Sequence, residues 1–147
     1  MAKAIAQSRF NKLVEDISGL YLNAREAYAQ CAWEMGRRIF EEEQNGEVRA
    51  AYGTELLPRV SQELTRKYGA GFSVTTLKDV RMFYSQNQKG QPADLLSWSD
   101  HVQLMRVKDP KVRKALAKRA VRENLGKREV HRLVSSVNNS AATKPAP

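Results

Sequence analysis

The sequence has one cysteine, five prolines and no long apolar run. Because Cys31 has no second thiol to pair with, an internal disulfide is excluded. No apolar stretch approaches the roughly 18 to 20 residues that cross a bilayer, so we expect no membrane function. Met1 leads into a polar, lysine-containing start instead of an apolar signal segment, which favours a cytoplasmic location.

Residues typical of catalytic and metal sites are also scarce. His101, His131 and Cys31 lack metal-ligand spacing, and no Gly-x-x-x-x-Gly-Lys phosphate-binding pattern occurs. Ser99, Asp100 and His101 are adjacent in sequence, whereas a catalytic triad is assembled from separate elements. We therefore expect no metal, no cofactor and no enzyme activity in this chain.

Positive charge is present in excess and is unevenly distributed. The formal net charge is +9; residues 1–100 hold 13 Lys/Arg and 13 Asp/Glu, whereas residues 101–147 hold 12 and 3. A concentrated positive field favours a polyanionic partner, because each neutralised phosphate releases counterions. The alternative is a solvated basic face that only aids solubility, and charge alone does not decide between them.

Helix-period patterns cover most of the 147 residues, and no strand pattern competes with them. We predict an all-α helical bundle that forms a single domain over residues 1–137, followed by a disordered tail at 138–147. The predicted helices are a long N-terminal one to about residue 46, then about 54–68, 73–86, a short one after Ser97, one from Asp109 and one at about 126–137.

Apolar or small residues recur in 4-3 spacing along the first helix. The residues of this seam are Phe10, Val14, Ile17, Tyr21, Ala24, Tyr28, Cys31 and Met35. A two-stranded coiled coil would need charged residues beside the seam, whereas the flanking positions include Leu22 and Ala29. We expect the seam to pack within the domain, and self-association through this helix is the alternative.

The stretch "KYGAGFSVTTLKDVRMFY", residues 67–84, predicts two helices joined by a glycine-rich turn. Ser73 is the expected N-cap of the second helix, which buries Leu77, Val80 and Tyr84. With the preceding helix, in which Pro58 favours a start near residue 56, it forms a helix-turn-helix-like unit at about 54–86. Such a unit either places its second helix in a DNA groove or only packs on a core.

Candidate nucleic-acid contacts follow from the first of these readings. The first turns of the second helix carry groups suited to base edges, and nearby cations are suited to phosphates, although Asp79 on the same face would repel phosphate. A basic stripe on the helix after Asp109 would add affinity if it faces the same side. The candidates are Arg66, Lys67, Ser73, Thr75, Thr76, Lys78, Arg81, Arg106, Lys108, Lys111, Lys114 and Lys118.

Four runs of sequence together resemble a known family. They are "WEMGRRIFEEEQNGEVRAAYG", "LTRKYGAGFSVTTLKDVRMFY", "LSWSDHVQLMRVKDP" and "RAVRENLGKREVHRLV". In this order they resemble the helical N-terminal domain of YhcG-type proteins, over roughly residues 20–137. The resemblance implies a DNA-binding, helix-turn-helix-like module that usually precedes a PD-(D/E)XK nuclease-like domain.

The resemblance also implies partners for this chain. They are nucleic acid, most simply double-stranded DNA, and a PD-(D/E)XK nuclease supplied by another subunit or domain; a homo-oligomer remains open. The string Asp109-Pro110-Lys111 imitates part of a nuclease site, but an aspartate before proline is better explained as a helix N-cap. We therefore expect a DNA-targeting module without the catalytic half, with protein interaction through the long N-terminal helix as the alternative function.

Overall fold

The computed structural model describes residues 2–90, 92 and 96–143, with side chains to residue 140. Over these residues the fold is all-α, which confirms the predicted class. The helices are α1 (Ala2–Glu43), α2 (Gly46–Tyr52), a 3-10 turn (Gly53–Glu55), α3 (Leu56–Tyr68), α4 (Val74–Gln86), α5 (Trp98–Leu104), α6 (Pro110–Arg122) and α7 (Lys127–Thr143). None of the helices in the described ranges combines the length and apolar character that crossing a membrane requires.

The first part of the core lies between α4 and the C-terminal part of α1. Small residues of α1, Ala29, Ala32 and Gly36, are buried there, which lets the two helices approach closely. Val80 and Phe83 of α4 fill the contact, and Trp33, Met35, Ile39, Trp98 and Met105 pack around it. The prediction placed Tyr84 in the buried stripe of α4; Phe83 is the fully buried residue, and Tyr84 is half-buried against the rings of Trp33 and Phe40.

The second part of the core joins α5, α6 and α7. Its buried residues are Leu96, Leu104, Val107, Ala120, Val130 and Val134. Local sequence starts two of these helices as predicted. Ser97 accepts a hydrogen bond from the Asp100 N–H at 3.2 Å, and Asp109 accepts one from the Lys111 N–H at 2.9 Å with Pro110 at the first helical position.

Two expectations differ from the structure. The last helix was predicted to end at residue 137, but α7 continues to Thr143, and the Asn138 side chain donates to the carbonyl of Arg106 at 3.2 Å. Residues 138–143 therefore are not a disordered tail, while residues 144–147 lie outside the described residues. The seam of α1 was expected to pack within the domain, but its N-terminal part is exposed, from Phe10 at 59% to Tyr28 at 46%.

Candidate nucleic-acid interface

The predicted pair of helices joined by a short turn is present as α3, residues 69–73 and α4. Pro58 lies in the first turn of α3, which begins at Leu56 as the proline requires. Gly69 ends α3 with a φ of 88°, a conformation that favours glycine. The Ser61 hydroxyl donates to the Phe72 carbonyl at 2.6 Å, so the chain that enters α4 is held against α3.

Two of the predicted DNA contacts at the start of α4 take part in the helix cap, and two lie outside it. The Ser73 hydroxyl accepts from the Thr76 N–H at 3.1 Å and lies 3.0 Å from the Thr76 hydroxyl. Both hydroxyls are therefore engaged in capping the helix, and Thr76 is half-buried. Thr75 and Lys78 are exposed. Ser73 is exposed as well, but its hydroxyl takes part in the cap, so Thr75 and Lys78 are the predicted contacts of this turn that are exposed and lie outside the cap.

A cleft beside α4 gathers charges that lie far apart in sequence. It has a volume of about 480 Å³ and lies between α2, the 3-10 turn, α3 and α4. Lys78 and Arg81 line it from α4, Arg49 from α2, and Glu43 from the end of α1. Arg81 Nη1 donates to Glu43 Oε2 at 2.6 Å, so this arginine is engaged within the fold. The cleft thus combines three cations with one anion.

The predicted reading face of α4 is partly covered by the segment that follows α5. Gln86 Nε2 donates to the carbonyl of Met105 at 3.2 Å, and Asp79 is half-buried. Burial raises the pKa of the Asp79 carboxyl above its usual range, and the nearby Arg106 guanidinium partly opposes this effect. Residues 105 and 106 thus cover the face at Asp79 and Gln86, while Met82 between them is 47% exposed and Thr75 and Lys78 at the N-terminal end are exposed.

The two cations at the end of α3 differ in their surroundings. Arg66 Nε donates to Glu63 Oε2 at 3.3 Å, and a second nitrogen of the same guanidinium pairs with Glu63 Oε1. This contact lowers the pKa of Glu63 and raises that of Arg66. Lys67 is exposed in the same turn. Arg66 would have to leave Glu63 before it could bind a phosphate.

The basic stripe on α6 lies near the other end of α4. Lys111, Lys114 and Lys118 are exposed, and the last two line a cavity of about 350 Å³ together with Gln86. Gln86 is the last residue of α4, so Lys114 and Lys118 adjoin the end of this helix that is remote from Thr75. Lys108 and Arg106 are exposed in the segment before α6. The structure therefore forms two basic regions at opposite ends of α4.

The chain is similar to known proteins. A family model described as the DUF1016 N-terminal domain matches residues 12–139. The chain belongs to this family. Over 51 residues it is 53% identical to "Putative nuclease YhcG" of Escherichia coli (strain K12); the alignment covers 35% of this chain and 14% of that relative. The matched part is thus a small share of the relative's length. No solved structure matches the chain.

Sequence reasoning missed one cation of this DUF1016 N-terminal domain. Arg49 lies in α2, whose sequence "GEVRAAYG" is too short for a helix to be assigned from periodicity. A local signal for the helix does exist: the Asn45 side chain accepts from the N–H groups of Glu47 and Val48, at 3.0 and 3.2 Å. The position of Arg49 beside Lys78 depends on how α2 folds back, which no local signal predicts.

Proposed function

We propose that this DUF1016 N-terminal domain binds double-stranded DNA at the N-terminal end of α4 and directs a nuclease of the YhcG type to it. The observation that carries the proposal is the group of Lys78, Arg49 and Arg81 around one cleft beside the exposed Thr75. Cations of this kind bind DNA phosphates and so provide affinity for DNA. A short hydroxyl side chain beside them can form a hydrogen bond with the edge of a base. The name of the YhcG relative supports the link to a nuclease.

The roles within this site follow from what each side chain already contacts. Thr75 and Lys78 are exposed and reach the bases or the nearest phosphates. Arg49 and Lys67, on α2 and α3, flank them and bind the DNA backbone. Ser73 keeps its structural role as the cap of α4, so its contribution to binding is indirect.

The DNA can engage only a short part of α4. Because residues 105 and 106 lie beside Asp79 and Gln86, the helix enters the groove with its N-terminal end, through the exposed Thr75 and Lys78. This agrees with the way recognition helices of helix-turn-helix proteins use their N-terminal residues for base edges. Lys114 and Lys118 of α6 lie beside Gln86, which is about 16 Å along α4 from Thr75, and they contribute sequence-independent affinity to a neighbouring stretch of backbone.

The proposal gives this domain a targeting role and no catalytic step. Within the described residues, His, Cys, Asp and Glu side chains do not form a group of three that could hold a metal ion. In this proposal the nuclease chemistry belongs to a separate PD-(D/E)XK domain, attached or in trans.

The decisive experiment is a mobility-shift titration with duplex DNA at fixed salt. Lys78→Glu combined with Arg49→Glu should weaken binding by more than a hundredfold, because each change replaces a cation with an anion in the cleft. Arg81 is left unchanged in this test because its contact with Glu43 is part of the fold. The matched control is Lys127→Glu combined with Arg128→Glu, which makes the same charge change on the exposed first turn of α7.

Two outcomes separate a specific cleft from a general charge effect. If both double variants lose affinity equally, net charge alone attracts DNA and the proposed site is wrong. If the cleft variant binds like the unchanged protein while circular dichroism shows full helicity, DNA binding through α4 is refuted.

A further inference from the structure

The N-terminal part of α1 carries a row of large apolar side chains that the rest of the described chain leaves exposed. Residues 2–21 are exposed without exception. The large apolar residues exposed on α1 by 46% to 71% are Ile5, Phe10, Leu13, Val14, Ile17, Leu20, Tyr21 and Tyr28. All except Ile5 lie on one side of the helix, and the Tyr28 ring also contacts the ring of Trp98. Scattered apolar residues on a surface are ordinary, but an ordered row of this length marks an interaction surface.

The row has the period of a helix that packs against other helices. If Val14 is assigned to heptad position a, Ile17 is at d, and Leu13 and Leu20 are at g. The resulting surface, which we call the α1 stripe, consists of Phe10, Leu13, Val14, Ile17, Leu20, Tyr21, Ala24, Ala27 and Tyr28. It is wider than the a and d seam alone, because the g positions are also apolar.

We infer that the α1 stripe packs against the α1 stripe of a second copy of this chain, with the two helices antiparallel. In an antiparallel pair, a positions face d positions. The register that matches the apolar residues sets Phe10 opposite Tyr21 and Val14 opposite Ile17 of the second copy. This inference does not depend on DNA binding, because the surface lies outside the α3 and α4 unit.

The g positions favour the antiparallel orientation. In that orientation they lie next to g positions of the second copy, so Leu13 contacts Leu20 at both ends of the pair. In a parallel pair, g positions would lie next to e positions, which would set Leu20 against Arg25. Lys3, at a d position, would also face its own copy in a parallel pair, whereas it faces Tyr28 in the antiparallel one.

The helix dipoles favour the same orientation. When two copies of α1 lie antiparallel, the dipole of one helix opposes that of the other, whereas two parallel dipoles repel each other. The charged side chains of the segment do not add to this preference. In the register of Phe10 with Tyr21, residues 3–12 run beside residues 19–28, whose charged residues Arg25 and Glu26 give no net charge.

The area of the stripe is sufficient for a stable pair. Its large side chains are about half exposed, so together they offer on the order of 800 Å² per copy, close to the amount that a standard protein interface buries on each partner. Overlap of residues 3–28 extends for about 39 Å. The folded parts of the two copies therefore lie at opposite ends of the pair.

Sedimentation equilibrium on the full chain tests the association. We expect a dimer, and Ile17→Asp should raise its dissociation constant at least a hundredfold because two carboxylates would enter an apolar contact. Ile5→Asp is the matched control: Ile5 is equally exposed, but it lies at heptad position f, on the opposite side of α1. It should leave the dissociation constant within about threefold of the unchanged protein.

Cross-linking with a short bis-maleimide tests the orientation. In a Cys31→Ser background, a mixture of Phe10→Cys and Tyr21→Cys chains should cross-link to each other, while Phe10→Cys chains alone should not. Cross-linking of Phe10→Cys with itself would mean a parallel pair and would overturn the proposed register.

Three further results would overturn the inference as a whole. A monomer at all concentrations would mean that another protein covers the α1 stripe. A dimer unaffected by Ile17→Asp would form through a different surface. Equal loss of association in Ile17→Asp and Ile5→Asp would reflect added negative charge and not the stripe.

Discussion

Gly36 of α1 lies against the backbone of α4, so that a Cβ atom at this position would be only 1.9 Å from the Val80 carbonyl oxygen. No rotamer change can relieve this contact, because the obstructing atom belongs to the backbone of a helix. The absence of a side chain at Gly36 therefore determines how closely α1 and α4 approach, and α4 carries the candidate interface.

Gly36→Ala is expected to lower the free energy of unfolding by about 3 kcal/mol, at the upper end of the usual cost of overpacking, since the two helices must separate. Urea denaturation followed by tryptophan fluorescence measures the change, because Trp33 lies in this contact. Gly19→Ala is the control: nothing lies within 4 Å of a Cβ there, and alanine favours a helix by about 1 kcal/mol. Equal stability of Gly36→Ala and the unchanged protein would contradict the close contact.

The pair of Arg81 and Glu43 should contribute more to stability than an exposed pair. Their side chains are 33% and 28% exposed, compared with 70% and 56% for Lys12 and Asp16. A double-mutant cycle of Arg81→Gln and Glu43→Gln should give a coupling energy of about 1 kcal/mol, whereas Lys12→Gln with Asp16→Asn should give about 0.3 kcal/mol. Equal coupling energies would mean that partial burial does not strengthen the pair.

The carboxyl of Asp79 should make stability depend on pH. Burial raises its pKa in the folded state, so the folded protein binds more protons than the unfolded chain between the two pKa values. Stability is then greater below this interval and is lost as the pH rises through it. Asp79→Asn should therefore raise the melting temperature at pH 7, and the gain should shrink as the pH falls towards about 4.

Arg106→Gln provides the complementary measurement for Asp79. Because the Arg106 guanidinium opposes the rise in the Asp79 pKa, its removal should raise that pKa further and lower the melting temperature at neutral pH. In the Asp79→Asn background the same change should have little effect. A pH-independent gain for Asp79→Asn would mean that burial does not perturb this carboxyl.

Alanine substitutions at Ser73 and Thr75 should distinguish a residue that stabilises α4 from a residue that binds DNA. Ser73→Ala removes the cap of α4 and should cost about 1 kcal/mol in thermal denaturation, while the exposed Thr75 can be replaced by alanine at a cost below about 0.5 kcal/mol. In duplex-binding titrations under native conditions the order should reverse, with the larger loss of affinity for Thr75→Ala. If Ser73→Ala loses more affinity than Thr75→Ala, the serine contacts DNA directly.

Features that depend on residues a few positions apart could be predicted from the sequence. Ser73, Ser97 and Asp109 act as N-caps because each side chain bonds to an N–H two or three residues later. Pro58 requires a helix start nearby for a similarly local reason. The number and type of most helices followed from these signals and from apolar spacing, which needs no knowledge of the final packing.

The acidic cluster at the end of α1 is stabilised partly by pairs one helical turn apart and partly by a distant contact. Glu41, Glu42 and Glu43 lie at the negative end of the helix dipole, where carboxylates are unfavourable. Arg37 and Arg38, four residues earlier, bond to Glu41 and Glu42 at 2.9 and 3.2 Å, and this pairing follows from helical spacing. The partner of Glu43 lies 38 residues away in α4, so spacing could not reveal it.

By itself, the sequence determined an all-α chain, the places where its helices start and the composition of their faces, because these depend on backbone preferences and on residues one turn apart. Tertiary structure decided which faces are covered. The small residues of α1 pack against Phe83 only after distant segments meet. Residues 105 and 106 cover part of one face of α4, and the apolar seam from Phe10 to Tyr21 is left exposed. Burial depends on which segment packs against each helix. A periodic apolar pattern predicts that one face of a helix will be buried, but it does not identify the segment that covers this face.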